Sequence, residues 1–244
     1  MGYKDFHIHT DFSDGDNSAE EMVVAAIKKG LTQIGFSEHS YTFFDESYCL
    51  KKEKISEYVN EIKRLKNKYS DKIEVLCGIE QDYYSQEPTN LFDYVIGSVH
   101  YLKLKGDVYV PVDENESITL NTVQKYFNGD GYSYAEEYYA TLSDVVNKTG
   151  ADIIGHFDII TKFNNSLHLF DEGNPRYVNA WQKAADLLLS TKAAFEINTS
   201  PIYKGIKKEP YPSYRIIEYI KANGGKLIYS SDSHNTDTIC FGFK

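Results

Sequence analysis

The sequence predicts an α/β fold in which a parallel sheet closes, or nearly closes, into a barrel. About seven short apolar or β-branched runs alternate with helical patterns, which is typical of parallel-sheet proteins. The chain has 244 residues, of which 41% are hydrophobic and 25% charged, and this size fits one barrel domain. No GxGxxG turn follows the first run, which favours a barrel over a flat, doubly wound sheet.

The strand candidates are, in chain order, KDFHIH, QIGFSE, IEVLCGIE, DYVIGSVH, ADIIGH, AAFEIN and KLIYSS. Because helical patterns separate them, we expect neighbouring strands to run parallel with helical crossovers. The helices are expected to begin near Ser18, Lys52, Ser133, Asn174 and Tyr211. Cap or turn residues precede two of them, in DGDNSAEE and EGNP.

Glycines and an aperiodic segment mark the remaining boundaries. Gly30 and the NGG at 223–225 are typical helix ends, since glycine adopts the left-handed conformation found there. Residues 103–131 fit neither the helical nor the strand period. We therefore expect an irregular insertion after the fourth strand, with NGDG as a turn, that covers a site at that end of the sheet.

The composition excludes several classes of function. The net charge is -10 and the basic residues are dispersed, so a surface for long nucleic acids is not expected. The three cysteines, Cys49, Cys77 and Cys240, show no CxxC spacing, which argues against a disulfide framework and a thiolate zinc site. No apolar leader and no apolar run of membrane-spanning length occurs. We expect a cytoplasmic protein that binds no membrane.

Residues that can bind metals recur at the carboxyl ends of the predicted strands. Active sites of parallel α/β folds lie at this end, where the loops converge. Side chains two apart on a strand point to the same side. The pair His7 and His9, and the pair Asp232 and His234, should therefore each direct two ligands to one point. The residues are His7, His9, His39, Glu80, His100, His156, Asp232 and His234, with Asp14 just after the first strand.

Each of these residues also has an ordinary structural explanation. A strand-end histidine is commonly a hydrogen-bonded structural residue, Glu80 could be an exposed carboxylate, and Asp14 could form an Asx turn. Together, however, these explanations require a separate coincidence at every strand end. Imidazole and carboxylate ligands without thiolate suit zinc, iron or manganese in a hydrolytic site, with Glu80 and Asp232 able to bridge ions. The charge of several divalent ions would exceed that of the carboxylates, so the pocket would be cationic and would attract a phosphate.

The motifs HIHTDFSDG, FSEH, GIEQDY, GSVHYL, GHFDIITKF, EINTS and SSDSH occur in this order. Over nearly its whole length the chain therefore resembles the polymerase and histidinol phosphatase (PHP) family, and GHFDIITKF and EINTS make it similar to the monofunctional histidinol-phosphate phosphatases. The resemblance implies a distorted (β/α)7 barrel of the TIM-like type, formed by one domain over residues 1–244. It also implies a further helix after the last strand, so we expect the C-terminal end to be truncated or shortened.

The resemblance further implies three divalent metal ions, which would be zinc, iron or manganese. Asp14 is the position at which some relatives carry histidine. The implied ligand groups are His7, His9, Glu80 and Asp232 for the first ion, Glu80, His100 and His156 for the second, and Asp14, His39 and His234 for the third.

The activity implied by the resemblance is hydrolysis of L-histidinol phosphate in histidine biosynthesis, by attack of a metal-bridging hydroxide. A metal-bound water, Asp232 or His234 would protonate the leaving group. Arg176, Lys204 and Arg215 are candidates to bind the phosphate, and the first two are preferred. Asp82, Tyr83 and the aromatic SYTFFDESY segment are candidates to bind the rest of the substrate.

Two other functions stay open at this point. A phosphotyrosine phosphatase would use the same ligands on the same scaffold. A metal-binding accessory module without catalysis is the alternative from another class, although loss of catalysis usually leaves gaps in a ligand set. An exonuclease is disfavoured because the chain is acidic.

Overall fold

The computed structural model describes residues 2–243, so Met1 and Lys244, the ends of the expected domain, lie outside the described residues. Within this range seven parallel strands form one sheet, and two further strands form a separate antiparallel hairpin. The strands are β1 (Tyr3–Asp5), β2 (Leu31–His39), β3 (Glu74–Asp82), β4 (Tyr94–Ser98), β5 (Tyr101–Leu104), β6 (Val108–Pro111), β7 (Ile153–Ile154), β8 (Ala194–Asn198) and β9 (Leu227–Ser230). The seven predicted strands are confirmed.

The first and last strands of this sheet meet beyond their regular ends. Ser233 N donates to His7 O at 3.1 Å, and His9 N donates to Ser233 O at 2.9 Å. The buried Asp5 carboxylate accepts hydrogen bonds from Ser231 N at 3.1 Å and Ser231 Oγ at 2.6 Å. These contacts nearly close the sheet, which confirms the predicted barrel. They also bring the residues after β1 next to those after β9.

The helices are α1 (Ala19–Lys28), α2 (Ile55–Lys68), α3 (Glu116–Tyr126), α4 (Gly131–Leu142), α5 (Val145–Thr149), α6 (Asn164–Leu167), α7 (Pro175–Leu189), α8 (Ser200–Tyr203) and α9 (Tyr214–Ala222). Among them, α1, α2 and α5 pack against β2, β3 and β4. The expected helices near Ser18, Lys52, Ser133, Asn174 and Tyr211 correspond to α1, α2, α4, α7 and α9.

Local chemistry explains where these helices begin and end. Ser18 and Glu21 form a reciprocal capping box at α1, and Asn174 caps α7 ahead of a proline in its first turn. Gly30 and Gly224, which follow α1 and α9, have φ values of 78°, the left-handed conformation that glycine adopts without strain. Among the described residues, no helix combines the length and apolarity needed to span a bilayer.

The expectation of an irregular insertion at 103–131 was wrong. This segment forms most of the β5–β6 hairpin and the whole of α3. The hairpin strands are only four residues long, and they turn at Gly106 and Asp107, both with positive φ. In α3 the buried positions are Thr119, Thr122 and Val123, so the helix has little of the apolar stripe by which a surface helix is recognised.

Candidate metal centre

The structure brings all the predicted ligand residues together at the carboxyl end of the sheet. They come from the ends of β1, β2, β3, β4, β7 and β9, with Asp14 supplied by the loop after β1. Three subsets have ligand atoms close enough to hold a common ion. These are His7, His9 and Asp232; His39, Glu80 and His100; and His9, Asp14, His39 and His234.

The first of these groups, His7, His9 and Asp232, lies where β1 and β9 end, next to Glu80 of β3. His9 Nε2 lies 3.4 Å from Asp232 Oδ1 and 3.6 Å from Glu80 Oε2. His7 Nε2 lies 3.3 Å from Glu80 Oε2 and 3.8 Å from Asp232 Oδ1. The four side chains implied by the resemblance for the first ion therefore face one another.

The second subset contains His39 where the resemblance implies His156. His156 nevertheless faces the other oxygen of the same glutamate. Glu80 Oε1 lies 2.9 Å from His156 Nε2 and 3.3 Å from His100 Nε2. Ser98 Oγ donates to this oxygen at 2.6 Å. Because the two oxygens of Glu80 face different imidazoles, the carboxylate has the geometry required to bridge two ions.

The third group is centred on Asp14. Its Oδ2 lies 3.5 Å from His39 Nε2 and 3.4 Å from His234 Nε2. The His9 ring stacks between the other two, with centroids 4.2 Å from His39 and 4.4 Å from His234. His9 is therefore in reach of the first and third groups, whereas the resemblance assigned it to the first alone.

The loop that carries Asp14 is held by a buried carboxylate. Glu38 accepts hydrogen bonds from Thr10 N at 3.1 Å, from Thr10 Oγ1 at 2.6 Å, and from Ser13 Oγ. Gly15 closes the loop, since its N–H donates to Thr10 O at 2.9 Å. A Cβ at Gly15 would lie 2.7 Å from the carbonyl of His9, so the turn requires a residue without a side chain.

Asp232 is fixed from the opposite side. Its Oδ2 accepts hydrogen bonds from Asn198 Nδ2 at 3.1 Å and Ser200 Oγ at 3.0 Å, and its main-chain O accepts one from Tyr203 OH at 2.7 Å. The residue has a φ of 51°, a strained conformation that is often kept at functional sites. Oδ1 is left to face His7 and His9.

The charges of the cluster depend on one another. Burial alone would raise the pKa of Glu80, but the charges of His7, His100 and His39 hold it well below its usual range. Burial and repulsion from His39 and His234 lower the pKa of His9 to about 3. The cluster therefore combines anionic carboxylates with at least one neutral imidazole, which are the forms that bind metals.

Ligand atoms that lack a hydrogen-bond partner are an independent indication of metal binding. Buried polar atoms normally have a hydrogen-bond partner, yet several ligand atoms here have none among the described residues. They include His7 Nε2 and both ring nitrogens of His9. Bound cations would coordinate those of these nitrogens that carry a lone pair, so the residues fit a centre of divalent metal ions coordinated by nitrogen and oxygen.

A cavity of about 170 Å³ opens onto this centre. Besides predicted ligands, its lining includes Asp113, Lys162, Ser200, Lys204 and Tyr211. Lys204, a candidate from the sequence to bind the phosphate, thus lines this cavity. Lys162 Nζ donates to Asp113 O at 2.6 Å, so a second cation is held at the same cavity.

The expectation for Arg176 does not fit this geometry. Its exposed guanidinium contacts Asp130, the N-cap of α4, at 3.0 Å and Glu136 in α4 at 2.8 Å, and it does not line the cavity. Arg215 also lies elsewhere, because it donates to Glu172 O at 3.3 Å. An arginine at a helix start is most often a surface charge. The contacts of Arg176 with Asp130 and Glu136 form only in the folded chain, so the sequence alone does not predict them.

A second cavity, of about 270 Å³, adjoins the first along His39 and His100. Its walls include Asp45, Tyr48 and Tyr101, so part of the predicted SYTFFDESY segment does reach the site. The other two candidates for substrate contacts do not line it. Tyr83 donates to Asp144 at 3.1 Å, and the buried Asp82 accepts from His100 N at 3.0 Å.

Sequence reasoning missed several residues around the ligands. Glu196 contacts His7, Glu38 holds the Asp14 loop, and Asn198 and Ser200 hold Asp232. One signal was present. Glu196 and Asn198 are polar residues two apart in the otherwise apolar AFEIN run, so they share the face of β8 that points to the site.

Proteins of known sequence resemble the chain over most of their length. A Schizosaccharomyces pombe protein named "Probable histidinol-phosphatase" is 29% identical over 243 residues, which cover 90% of this chain and 76% of the relative. The histidinol-phosphatase of Lactococcus lactis is 27% identical over 244 residues, which cover 94% of this chain and 83% of the relative.

Solved structures share the fold. Histidinol phosphate phosphatase (HISK) from Lactococcus lactis, complexed with zinc, L-histidinol and phosphate, has a TM-score of 0.70 at 26% identity, covering 96% of this chain and 86% of that one. The Listeria monocytogenes protein hisK has a TM-score of 0.84 at 19% identity, covering 99% and 98%, and shows the fold alone. The PHP domain matches residues 5–200, which is most of the chain. This chain therefore belongs to the PHP domain family.

Proposed function

We propose that this protein is a metal-dependent phosphomonoesterase that hydrolyses L-histidinol phosphate to L-histidinol and phosphate. The observation that carries the proposal is a group of buried imidazole nitrogens with no hydrogen-bond partner in the part of the chain that the structure describes, beside the carboxylates of Glu80 and Asp232 and next to a cavity lined by Lys204. The relatives named histidinol-phosphatase support the choice of substrate. Such an enzyme would act in histidine biosynthesis, and we place it in the cytoplasm. We propose that residues 1–244 form one PHP domain.

The centre would hold three divalent ions, with zinc, iron or manganese as candidates. The zinc in the Lactococcus lactis structure and the three ligand groups of this chain support that number and choice. When bound, the ions would lower the pKa of a coordinated water and neutralise charge on the phosphoryl oxygens.

The residues of the chain would bind and orient the phosphate. Lys204 reaches the cavity with an exposed ammonium, which can pair with a phosphoryl oxygen and adjust as the substrate enters. Ser200 lies in the same wall, but its hydroxyl already donates to Asp232 at 3.0 Å. Ser200 would therefore orient that carboxylate, while Lys204 would contact the substrate.

Asp232 and His234 are the proposed catalytic residues. Burial alone would raise the pKa of Asp232, but the charges of Lys204 and His7 hold it well below its usual range, so Asp232 is anionic at neutral pH. Asp232 or His234 would relay the proton released by the attacking water to the departing alkoxide. His234 Nδ1 lies 3.0 Å from Asp232 O, an arrangement in which Nδ1–H donates and Nε2 faces Asp14.

The remainder of the substrate would occupy the second cavity. L-Histidinol carries an ammonium and an imidazole, which suit carboxylate and aromatic partners. Asp45 and Asp113 provide carboxylates there, and Tyr48 and Tyr101 provide aromatic rings. The acidity of these walls supports a cationic alcohol as the leaving group in preference to a neutral or anionic one.

The test is steady-state release of inorganic phosphate by protein of known metal content. L-Histidinol phosphate would be compared with p-nitrophenyl phosphate, phosphotyrosine and a short single-stranded DNA. We expect a preference for L-histidinol phosphate of several orders of magnitude in kcat/KM, lost in His9→Ala and Asp232→Ala. Comparable weak rates on all four compounds would retain the phosphoesterase and reject the histidinol assignment. Metal-loaded protein without any turnover would favour the accessory-module alternative.

A further inference from the structure

Glu196 is a buried carboxylate outside the predicted ligand set. It lies in β8 with 0% exposure, and its Oε2 is 2.9 Å from His7 Nδ1. Its other oxygen, Oε1, is buried and has no hydrogen-bond partner among the described residues. A buried carboxylate is costly without a compensating donor or cation, and the His7 ring is the donor that contacts it.

His7 lies between this carboxylate and the metal centre. The Nδ1 side of its ring faces Glu196, while Nε2 on the far side lies 3.3 Å from Glu80 Oε2 and 3.8 Å from Asp232 Oδ1. A neutral imidazole carries one proton. If Nδ1 donates that proton to Glu196, then Nε2 presents its lone pair to the group of His7, His9 and Asp232.

Strand β8 also contacts a second predicted ligand. Asn198 is two residues after Glu196, on the same face of the strand, and its Nδ2 lies 3.1 Å from Asp232 Oδ2. One strand thus holds a ligand that follows β1 and a ligand that follows β9. The repetition indicates that β8 supports the centre, and that the Glu196 contact is part of this support.

We propose that Glu196 is a positioning residue that fixes the tautomer and orientation of His7 and thereby sets the metal affinity of the group of His7, His9 and Asp232. The proposal rests on the metal centre of the proposed function and is independent of its substrate. A carboxylate partner on the second nitrogen of a metal-binding histidine orients the ring and raises its basicity, and its loss typically costs 10- to 100-fold in metal affinity.

The first experiment uses wild-type, zinc-loaded protein and requires no variant. Long-range ¹H–¹⁵N correlation spectra of the histidine rings report which nitrogen carries the proton. We expect His7 to be protonated at Nδ1, with a strongly downfield proton, and to bind zinc through Nε2. Zinc bound through Nδ1 of His7 would overturn the proposal.

The second experiment measures zinc affinity by competition with a chromophoric chelator in Glu196→Gln. This change keeps the volume and removes the charge. We expect one class of zinc to bind about 10- to 100-fold more weakly, with an altered His7 Nδ1–H signal, while zinc at Asp14, His39 and His234 is unchanged. Unchanged affinity for every zinc ion would reject the positioning role.

Asp5→Asn is the matched control. Asp5 is a carboxylate as buried as Glu196, but it accepts hydrogen bonds from Ser231 and from Cys240 N instead of an imidazole. We expect this variant to lose thermal stability while keeping wild-type zinc affinity. Equal zinc loss in both variants would show that any loosening of the barrel releases zinc, which would contradict a specific role of Glu196. Because zinc binding is measured without substrate, an inactive enzyme would leave this test intact.

Discussion

Glu80 Oε1 lies 2.9 Å from His156 Nε2, although 76 positions separate the two residues along the chain. The other oxygen of this carboxylate lies 2.8 Å from His39 Nδ1 and 3.3 Å from His7 Nε2. A single side chain at the end of β3 thus contacts imidazoles from the first half of the sheet and from the second. The integrity of the metal centre should depend on it more than on any single imidazole.

Glu80→Gln tests this dependence. The amide keeps the shape but cannot supply two anionic oxygens, so we expect loss of bound zinc and a fall of at least about 100-fold in phosphatase activity. Zinc content by elemental analysis and initial rates measure the two effects. Glu74→Gln, at the exposed start of the same strand, should behave like the wild type. A Glu80→Gln protein with full zinc content would contradict the bridging role.

Asp14 and Asp11 form a second matched pair in one loop. Asp14 contacts His39 and His234, whereas Asp11 is exposed. We expect Asp14→Asn to lose the ion of the third group, lowering the zinc content by about one equivalent and reducing activity, because a neutral amide binds zinc poorly. Asp11→Asn should retain both. Equal zinc content in the two variants, measured after dialysis against metal-free buffer, would remove Asp14 from the ligand set.

Variants of Lys204 and Arg176 compare a cation at the cavity with a cation at the surface. We expect Lys204→Met to lower kcat/KM for L-histidinol phosphate and to weaken inhibition by inorganic phosphate, each about tenfold, since a charged contact to phosphate is lost. Arg176→Met should leave both constants unchanged, because its partners are Asp130 and Glu136. Steady-state kinetics at fixed zinc content decide between them. A larger effect for Arg176→Met would restore the sequence-based preference for that residue.

Glu38 gives the fold a defined pH dependence. Burial raises its pKa from 4.5 to about 7, so the ionised carboxylate is less stable in the folded state than in the unfolded one. The stability associated with its protonated form is complete below pH 4.5 and is lost as the pH rises through 7. We expect the free energy of unfolding of the zinc-free wild type, relative to Glu38→Gln, to fall by about 3 kcal/mol over this range.

Chemical denaturation of both proteins in chelator, at several pH values, measures this difference. Comparing the two proteins cancels the titration of the ligand histidines, which both share. A difference that does not vary with pH would mean that Glu38 ionises as it does in the unfolded chain. The hydrogen bonds to Thr10 and Ser13 would then be sufficient to stabilise its charge.

Local patterns in the sequence predicted the repeating parts of this protein. Short β-branched runs between helical patterns identified the seven strands of the main sheet, because the strand and helix periods are properties of neighbouring residues. The same patterns placed His7, His9 and the other ligands at strand ends, and parallel strands bring their carboxyl ends to one edge. The chemical type of the centre followed from the residue types alone.

Which charged side chains contact each other depends on how the chain folds. Arg176 and Lys204 are both cations near a predicted helix or strand end, and the packing of α4 against α7 directs one to Glu136 while the other reaches the cavity. The contact of Glu196 with His7 spans 189 positions, and no local period encodes such a pair. Local sequence patterns were sufficient to predict the strands and the ligand types, whereas the pairing of distant side chains depended on the near-closure of the barrel, because that closure sets their distances.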